Sequence, residues 1–520
     1  MTQWGNSRYD VIVIGAGHNG LTAAASLAGQ GMKVLVLEQS HTLGGIAGGD
    51  EFHPGYHTTG LLHDTCGVRT SVVKALSLQR HGLKILEERP PVLALGTDGR
   101  GILLTGNAQR TAREIGRFSA RDADQYLQYR RFINRIQGFV RHLMEEPPPN
   151  VESPDFQEAV DLIKKGAALR LLGKREMMEI FRISPMCVAD WLNEWFETDL
   201  LKAALAGPAI YGGFAGPWSP GTNANLLVWE CTGRVSVKGG PQNLVAALEE
   251  AAKIRGAEVM AGTQVQRIMV AGGKARGVQL EDGQTIEARV VAASCDPRHT
   301  FLDLLSPRSV DYRVREQIRN FRGRGTTAKV NLALGTPLEF ACRSGEMVEF
   351  ARTGDDFTHL EKAFDAAKYR RFSDAPVLDI HVPTVSNPQL APKGHSVVSI
   401  LVHFAPYNLN PPWDEEQREK LGDLIVSTLE QYAPGVSRSV VAREVLTPKD
   451  LQERYGLVEG SILHGEHCLD QLLMRPIPEC AHYATPVQGL YLCGSGSHPG
   501  GGITCGPGYL AASMIVKERG

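Results

Sequence analysis

The sequence lacks the features that mark several common protein classes. Its nine cysteines include no CxxC pair, which argues against a disulfide reductase and is typical of reduced thiols. No run of about 18 or more apolar residues occurs, so we predict no membrane-spanning helix. The sixteen histidines show no HExxH or other ligand spacing, so we predict no metal site.

Net charge is also small, at −2, and this argues against a nucleic-acid partner. The first residues contain no charged segment followed by an apolar one, so we predict no secretory signal and a cytoplasmic location. Of the 520 residues, 42% are hydrophobic and 22% are charged, which is typical of a globular chain. A chain of this length is expected to form two or three lobes.

The most informative stretch lies near the N-terminus. An apolar, β-branched run at residues 11–14 predicts a strand buried on both faces of a parallel sheet. A GxGxxG motif, an alanine-rich helical stretch, a second apolar run at residues 33–37 and Glu38 follow in that order. This is the order of a dinucleotide-binding βαβ unit.

Each part of this motif has a physical role. Gly15 permits the tight turn, Gly17 lets the backbone approach a pyrophosphate, and Gly20 lets the helix pack against the strand. The helix N-terminus offers N–H groups to the phosphates, and Glu38 can bind ribose hydroxyls. The predicted phosphate-binding residues are Gly15, Ala16, Gly17, His18, Asn19 and Gly20.

The residues after the second strand identify the dinucleotide by resemblance. Glu38, a short spacer and the Gly44-Gly45 pair resemble the amine-oxidase and phytoene-desaturase superfamily of FAD proteins. The resemblance implies FAD as the cofactor, with the glycine pair along it. Many members have Arg directly after the pair, where this chain has Ile46. The cofactor residues implied in this segment are Glu38, Gln39, Gly44, Gly45, Ile46 and Ala47.

Two further segments are expected to complete the cofactor domain. Residues 242–255 predict a helix, and residues 264–268 and 289–293 predict strands. The resemblance implies that Val265 offers its backbone to the adenine. It also implies that Ser294 lies near the cofactor, where the chain leaves the sheet.

A glycine-dense stretch at residues 489–503 is followed by a small-residue helix at 506–516. Such density indicates a backbone that passes close to a flat group, and the helix N-terminus can stabilise an anionic reduced flavin. The predicted flavin contacts are Gly494, Ser495, Gly502 and Ile503. His498 is the candidate proton acceptor, and a structural bond to a backbone carbonyl is its alternative role.

Together with residues 446–475, the glycine-dense stretch at 489–503 resembles the phytoene-dehydrogenase-like branch of FAD oxidoreductases. The resemblance implies an α/β fold, with a Rossmann-like FAD-binding domain and a mixed-sheet plus helical substrate domain. We predict FAD-domain segments at 1–90, 231–300 and 485–520, and substrate-domain segments at 91–230 and 301–484.

The predicted substrate domain contains several recognisable elements. Strands are predicted at 328–334, 377–382 and 396–404, a hairpin at 92–104, and an amphipathic helix at 415–432. Residues 162–182 alternate apolar and basic residues, which suits either a packed helix or a segment on an anionic membrane. We favour the packed helix. Only a lipid substrate would favour the interpretation that this segment contacts a membrane.

The resemblance implies hydride transfer from a lipophilic substrate, such as a polyene or isoprenoid, to flavin N5. The sequence has no second GxGxxG unit for NAD(P)H, so we predict reoxidation by a quinone, oxygen or a protein partner. Two other functions remain open: a redox-neutral flavin-dependent isomerase, and a flavoprotein that acts mainly as an interaction partner. Peripheral membrane contact also remains open.

Overall fold

A computed structural model describes residues 9–148, 156–233 and 235–518 of the protein. The strands are β1 (Tyr9–Ile14), β2 (Val34–Leu37), β3 (Glu51–His53), β4 (Tyr56–His57), β5 (Ile85–Leu86), β6 (Val92–Leu95), β7 (Gly101–Leu104), β8 (Ser236–Val237), β9 (Glu258–Met260), β10 (Val265–Ala271), β11 (Lys274–Leu280), β12 (Thr285–Ala293), β13 (Thr327–Leu334), β14 (Phe350–Thr353), β15 (Val377–His381), β16 (Ser396–His403), β17 (Val440–Leu446) and β18 (Leu490–Leu492).

The helices lie between these strands or follow the last of them. They are α1 (His18–Ala28), α2 (Thr70–Ala75), α3 (Ala108–Ile115), α4 (Ala120–Glu145), α5 (Phe156–Leu171), α6 (Lys174–Ile183), α7 (Val188–Trp195), α8 (Asp199–Ile210), α9 (Thr222–Thr232), α10 (Pro241–Ile254), α11 (Tyr312–Asn320), α12 (Phe357–Lys368), α13 (Glu415–Tyr432), α14 (Val436–Ser439), α15 (Pro448–Tyr455), α16 (Leu469–Leu472) and α17 (Gly506–Lys517). In the described ranges, α3 to α9 follow one another without a strand between them.

The first sheet has the order β10-β11-β12-β1-β2-β9, and β18 pairs with β12. The strands β18, β12, β1, β2 and β9 run parallel to their neighbours, whereas β10 and β11 form an antiparallel extension of β12. Helices α1, α10 and α17 contribute to the apolar core on one face of the parallel part. Because both faces are covered, residues 11–14 of β1 and all of β2 are apolar, as the sequence predicted. The α/β fold is confirmed.

The second sheet has the order β17-β13-β16-β15-β14-β6-β7. It is mixed, because β14 and β6 are parallel and the other pairs are antiparallel. The predicted hairpin forms β6 and β7 at one edge of this sheet. The predicted amphipathic helix is α13, whose Leu421, Ile425 and Leu429 join the apolar core of one sheet face.

The first sheet takes its strands from three separated stretches of the chain, at residues 9–37, 258–293 and 490–492. Helices α3 to α9 form a separate apolar core with α12, in which Tyr129 and Trp191 are fully buried. The domain boundaries at residues 90, 230, 300 and 484 stay predictions.

Residues 162–182 differ from the expected packed helix. Gly173 (φ +104°) ends one helix and begins another, so the segment is divided between α5 and α6. Large apolar side chains on both helices are exposed, namely Phe156, Leu162, Ile163, Leu171, Met178 and Phe181. Within the described ranges, none of the helices has the length and apolarity to cross a bilayer.

Candidate cofactor and substrate site

A cavity of about 470 Å³ lies at the carboxyl ends of β1, β2 and β12. Its wall includes Gly15 after β1, Glu38 after β2, and Ser294 after β12. In open parallel sheets, ligands bind outside the carboxyl ends of the strands because loops and helix N-termini converge there. The cavity therefore has the position of a dinucleotide site.

The glycines of the first turn have different structural roles. Gly15 has a φ of +95°, which favours glycine. A Cβ on Gly20 would lie 1.9 Å from the carbonyl oxygen of Gly15, so the close approach of α1 to β1 requires glycine. A Cβ on Gly17 would have Gly44 O, at 4.0 Å, as its nearest neighbour among the described residues, and it would enter the cavity. This space lies at the N-terminus of α1, where a phosphate can bind.

Glu38 is held in place at the rim of the cavity. One of its carboxylate oxygens accepts a hydrogen bond from Ala16 N at 2.6 Å, and the other accepts one from Ser40 N at 3.0 Å. Each carboxylate oxygen can accept a further hydrogen bond. Glu38 thus has the position and chemistry to bind ribose hydroxyls.

The Gly44-Gly45 pair packs directly against the glycine turn that follows β1. Gly44 N donates to Ala16 O at 2.9 Å, and Ala47 N donates to Gly44 O at 3.1 Å. Gly44 has a φ of +109°, and a Cβ there would lie 2.8 Å from a methyl carbon of Val245. The glycine therefore lets the turn pass between α10 and the cavity.

Several polar atoms around the cavity are buried without a partner in the described chain. They include His18 Nε2, Asn19 Oδ1 and His464 Nδ1. Burial, with His464 nearby, lowers the pKa of His18 to about 4, so the His18 imidazole is neutral at neutral pH. Buried polar atoms in native proteins are normally paired. A dinucleotide, which carries many donors and acceptors, fits this surface.

The structure brings most of the predicted cofactor residues to this one cavity. Those that line it are Gly15, Gly17, His18, Asn19, Glu38, Gln39, Gly45, Ile46, Val265, Ser294 and Ser495. The predicted residues that do not line it are Ala16, Gly20, Gly44, Ala47, Gly494, Gly502 and Ile503. The contacts of each residue with FAD stay predictions.

A part of the cavity wall was not predicted from the sequence. The end of α15 and the residues after it, 452–456, line the cavity, and Arg454 forms an ion pair with Asp50. Thr263 and Gln264 line it as well. No local pattern marks these residues, because their place depends on how chain segments hundreds of residues apart pack together.

Arg475 organises the C-terminal glycine turn. It is fully buried and donates to backbone carbonyls at 3.2–3.5 Å. The acceptors are Leu463, His464, Gly465, Glu466, Ser495 and Gly496. Burial lowers the pKa of Arg475 to about 10, so the guanidinium remains protonated at neutral pH. One side chain thereby joins the loop at 463–466 to the turn that begins at Gly494.

His498 is fully buried and does not belong to the residues that line the cavity. Its ring lies near the backbone of Leu472 and Glu146, and in the described chain neither nitrogen reaches hydrogen-bond geometry. Burial, with Arg69 and Arg475 nearby, lowers the pKa of His498 to about 3. An imidazole with this pKa is a weak proton acceptor at neutral pH. Its catalytic role stays a prediction that this location does little to support.

The second sheet has one apolar face and one polar face. Val330 and Ile400 share the apolar core with α13, and the residues next to them in sequence point to the opposite side. We call that side the polar face. It carries Thr327, Lys329, Asn331, Arg352, Asp379, His381, Ser399, His403 and Glu444, which the strand register aligns. Of these strands, β13, β15 and β16 were predicted from the sequence, whereas β14, β17 and the chemistry of this face were not.

Lys329 connects the polar face to residues 61–63, which lie beside the segment that carries the Gly44-Gly45 pair. Its Nζ donates to Leu61 O at 2.8 Å and lies 3.4 Å from His63 Nδ1. Leu62 N in turn donates to Ile46 O at 3.2 Å, directly after the glycine pair. Burial lowers the pKa of Lys329 to about 7, so this amine is partly neutral at neutral pH.

A Rossmann-type sheet with this phosphate-binding turn, Glu38, the glycine pair and a second mixed sheet defines a two-domain flavoprotein. The comparisons with known families agree. Residues 10–192 match the model of the FAD dependent oxidoreductases, and residues 162–504 match that of the flavin containing amine oxidoreductases.

The chain belongs to the phytoene-dehydrogenase-like branch of these FAD-dependent oxidoreductases. It is 31% identical to pyridine nucleotide-disulfide oxidoreductase domain-containing protein 2 of Rattus norvegicus, over 98% of this chain and 94% of that protein. It is 29% identical to a component chain of the limonene dehydrogenase of Castellaniella defragrans, over 98% and 95%. It is 26% identical to a zeta-carotene-forming phytoene desaturase of Myxococcus xanthus, over 98% and 93%.

A solved structure of putrescine oxidase bound to putrescine has the same fold. Its TM-score is 0.59 at 15% identity, and the match covers 99% of both chains. The protein is therefore an enzyme with FAD as its cofactor, and the cavity at the carboxyl ends of β1, β2 and β12 has the features that this cofactor requires.

Proposed function

We propose that this enzyme removes hydride from a carbon of a lipophilic substrate. Bound FAD supplies the hydride acceptor. The observation that carries the proposal is the position of residues 60–63, which lie between the glycine pair and Lys329 on the second sheet. A substrate bound between the two sheets would lie beside the cofactor and away from water. The names of two relatives, limonene dehydrogenase and phytoene desaturase, point to lipophilic hydrocarbon chemistry.

The proposal assigns parts of the cavity to parts of FAD. Gly17 and the first turn of α1 bind the pyrophosphate, Glu38 binds ribose hydroxyls, and Val265 meets the adenine. The turn from Gly494 to Ile503 accommodates the flavin. The N-terminus of α17 follows this turn, and its dipole favours a negative charge on the reduced ring.

Anaerobic titration of the purified protein with isoprenoids and polyenes tests this function. We expect the visible bands of oxidised flavin in the isolated protein, and bleaching of these bands by at least one lipophile. A quinone or oxygen should restore the bands, whereas NAD(P)⁺ should not. Turnover of a polyene that needs no electron acceptor would instead identify an isomerase. Flavin bands that no lipophile bleaches would contradict the dehydrogenase function.

We propose further that α5 and α6 bind the surface of an anionic membrane, from which a lipophile could be taken up. The exposed apolar residues on these helices are accompanied by exposed Lys164, Arg170, Lys174 and Arg175. Apolar and basic groups together favour an anionic lipid surface. Lys165 Nζ also donates to Pro147 O at 3.1 Å, which joins α5 to the chain after α4.

Vesicle flotation tests the membrane proposal. The Phe156→Ser/Phe181→Ser double variant should bind anionic vesicles at least about tenfold more weakly, because each buried Phe contributes about 1.5–3 kcal/mol. Ile254→Ser/Tyr312→Ser is the matched control, since these side chains are similarly exposed on other helices. Equal binding by both double variants would show that α5 and α6 are not the membrane surface.

A further inference from the structure

Two hydroxyl groups beside the polar face are buried without a partner. Thr327 Oγ1, on β13, and the Tyr211 hydroxyl, directly after α8, make no hydrogen bond to any part of the chain that the structure describes. Thr327 is fully buried and pairs directly with His403 on β16. The Tyr211 ring packs edge-on against the His403 ring, with the centroids 5.6 Å apart. Leaving a buried hydroxyl unpaired lowers the stability of a protein, so these two groups call for an explanation.

The charged neighbours of these hydroxyls are already paired. Asp379 forms an ion pair with Arg352 and accepts a hydrogen bond from His403 Nε2 at 2.9 Å. Arg352 also donates to Ala204 O at 3.0 Å. Burial raises the pKa of Asp379, but Arg352 and His403 outweigh this effect and hold the pKa well below its usual range. An anionic ligand beside the two hydroxyls would therefore face the Asp379 carboxylate. The nearby Lys329 forms no ion pair in the described chain, and its amine is partly neutral because burial lowers its pKa to about 7.

The two hydroxyls lie where three parts of the protein meet. Thr326, next to Thr327, donates through Oγ1 to Gly213 O at 3.0 Å, which joins the second sheet to the chain after α8. On the same face, His63 lies between Lys329 and His381, with a His63–His381 ring separation of 5.0 Å. Ligand sites form preferentially at such junctions between domains. A substrate placed here would meet both the hydroxyls and the cofactor segment at residues 60–63.

We infer that Thr327 and Tyr211 bind an uncharged oxygen group of the substrate, either a hydroxyl or a carbonyl. The substrate class is then an oxygenated lipophile rather than a plain hydrocarbon. This inference rests on the proposed function, because it concerns the same substrate site. Threonine and tyrosine hydroxyls can donate to a carbonyl or accept from an alcohol, so either group on the substrate would give them a hydrogen-bond partner. A hydrocarbon leaves them unpaired, and a site of this kind discriminates strongly against a ligand that lacks the partner group.

Binding to the FAD-loaded enzyme, followed by perturbation of the flavin absorption spectrum, tests the inference. The probes are geranylgeraniol, its aldehyde, its carboxylic acid and the hydrocarbon of the same skeleton. The alcohol and the aldehyde should bind at least about tenfold more tightly than the hydrocarbon and the acid. Tighter binding of the alcohol alone, or of the aldehyde alone, identifies which oxygen group is the natural one. Equal binding of all four probes overturns the inference.

Isosteric variants separate a ligand-binding role from a structural one. Thr327→Val and Tyr211→Phe should reduce the preference for the oxygenated probes to within about threefold. They should also melt at or above the wild-type temperature, because each removes an unpaired buried hydroxyl. Thr59→Val is the matched control, since Thr59 Oγ1 is likewise buried without a partner in the described chain but lies off the polar face. We expect this variant to keep the wild-type preference.

Two outcomes overturn the inference: a lowered melting temperature in both hydroxyl variants, and an unchanged ligand preference. Flavin reduction is recorded in the same titrations and reports separately on the proposed function. If the oxygenated probes bind more tightly than the hydrocarbon but no probe reduces the flavin, the oxygen subsite stands and the dehydrogenase proposal fails. If the hydrocarbon reduces the flavin as well as the alcohol does, the dehydrogenase proposal stands and the oxygen subsite fails.

Discussion

The Gly17→Ala variant should fold normally and contain no FAD. Gly17 has a φ of −66°, which alanine adopts without strain. Within the described chain, its new Cβ would approach nothing closer than Gly44 O, at 4.0 Å. The methyl group would instead occupy the space at the start of α1, where the pyrophosphate is expected to approach the backbone. Purified protein should therefore be colourless, with the melting temperature of the cofactor-free wild type.

Gly20→Ala is the informative comparison, because it lies three residues away in the same turn. Its Cβ would lie 1.9 Å from Gly15 O, so α1 would have to move away from β1. Strain of this kind costs about 1–3 kcal/mol, and we expect a lower melting temperature even without cofactor. Calorimetry and flavin absorbance of the two variants distinguish the two effects. A Gly17→Ala protein saturated with FAD would show that the pyrophosphate lies elsewhere.

Replacing Arg475 by Met should have the second large effect. The change would remove a donor shared by six backbone carbonyls in the protein interior, of which Glu466 O keeps a second donor in Gln471 Nε2, and it would release the loop at 463–466 from the C-terminal turn. Each unpaired buried group costs about 1–3 kcal/mol, so most of the stability of a typical domain would be lost. We expect poorly soluble protein without flavin absorbance, as judged by yield, chemical unfolding and FAD content.

Arg475→Lys should rescue little of this loss. A lysine ammonium is a compact group with three donors, whereas the guanidinium presents five donors in a flat fork that can reach several carbonyls at once. Arg313→Met, at an exposed position on α11, serves as the control for loss of a positive charge. A stable, FAD-containing Arg475→Met protein would contradict the organising role of this side chain.

Prediction from the sequence succeeded where a local pattern carries the information. The glycine turn, the acid at the end of β2 and the glycine pair are short-range signals, and they led to the correct cofactor and family. The helix at 415–432 has the predicted bounds, since its N-cap Asp414 and its apolar spacing are both local features. The segment at 162–182 was predicted only in part: Leu169, Leu172 and Ile180 pack against the helical core, but the turn at Gly173 divides the segment and its other large apolar residues include exposed ones.

The cavity rim and the polar face could not be predicted in the same way. Residues 452–456 line the same cavity as Glu38, although more than 400 positions separate them along the chain. Thr327, Lys329, Asp379 and His403 come from three strands, and strand register alone decides that their side chains share a face. Alternation along one strand shows that two faces exist, but it does not show which residues of other strands lie beside them.

By itself, the sequence of this protein determined the βαβ unit, the cofactor class and the order of the main strands. These features follow from residue types at short spacing, where backbone geometry leaves few alternatives. The tertiary structure alone decided that Arg475 holds the C-terminal turn, that His498 is buried off the cavity, and that the two hydroxyls beside His403 have no partner in the described ranges. The reason is physical: burial, pairing and the absence of a partner depend on packing between distant segments, and that packing is set only when the whole chain has folded.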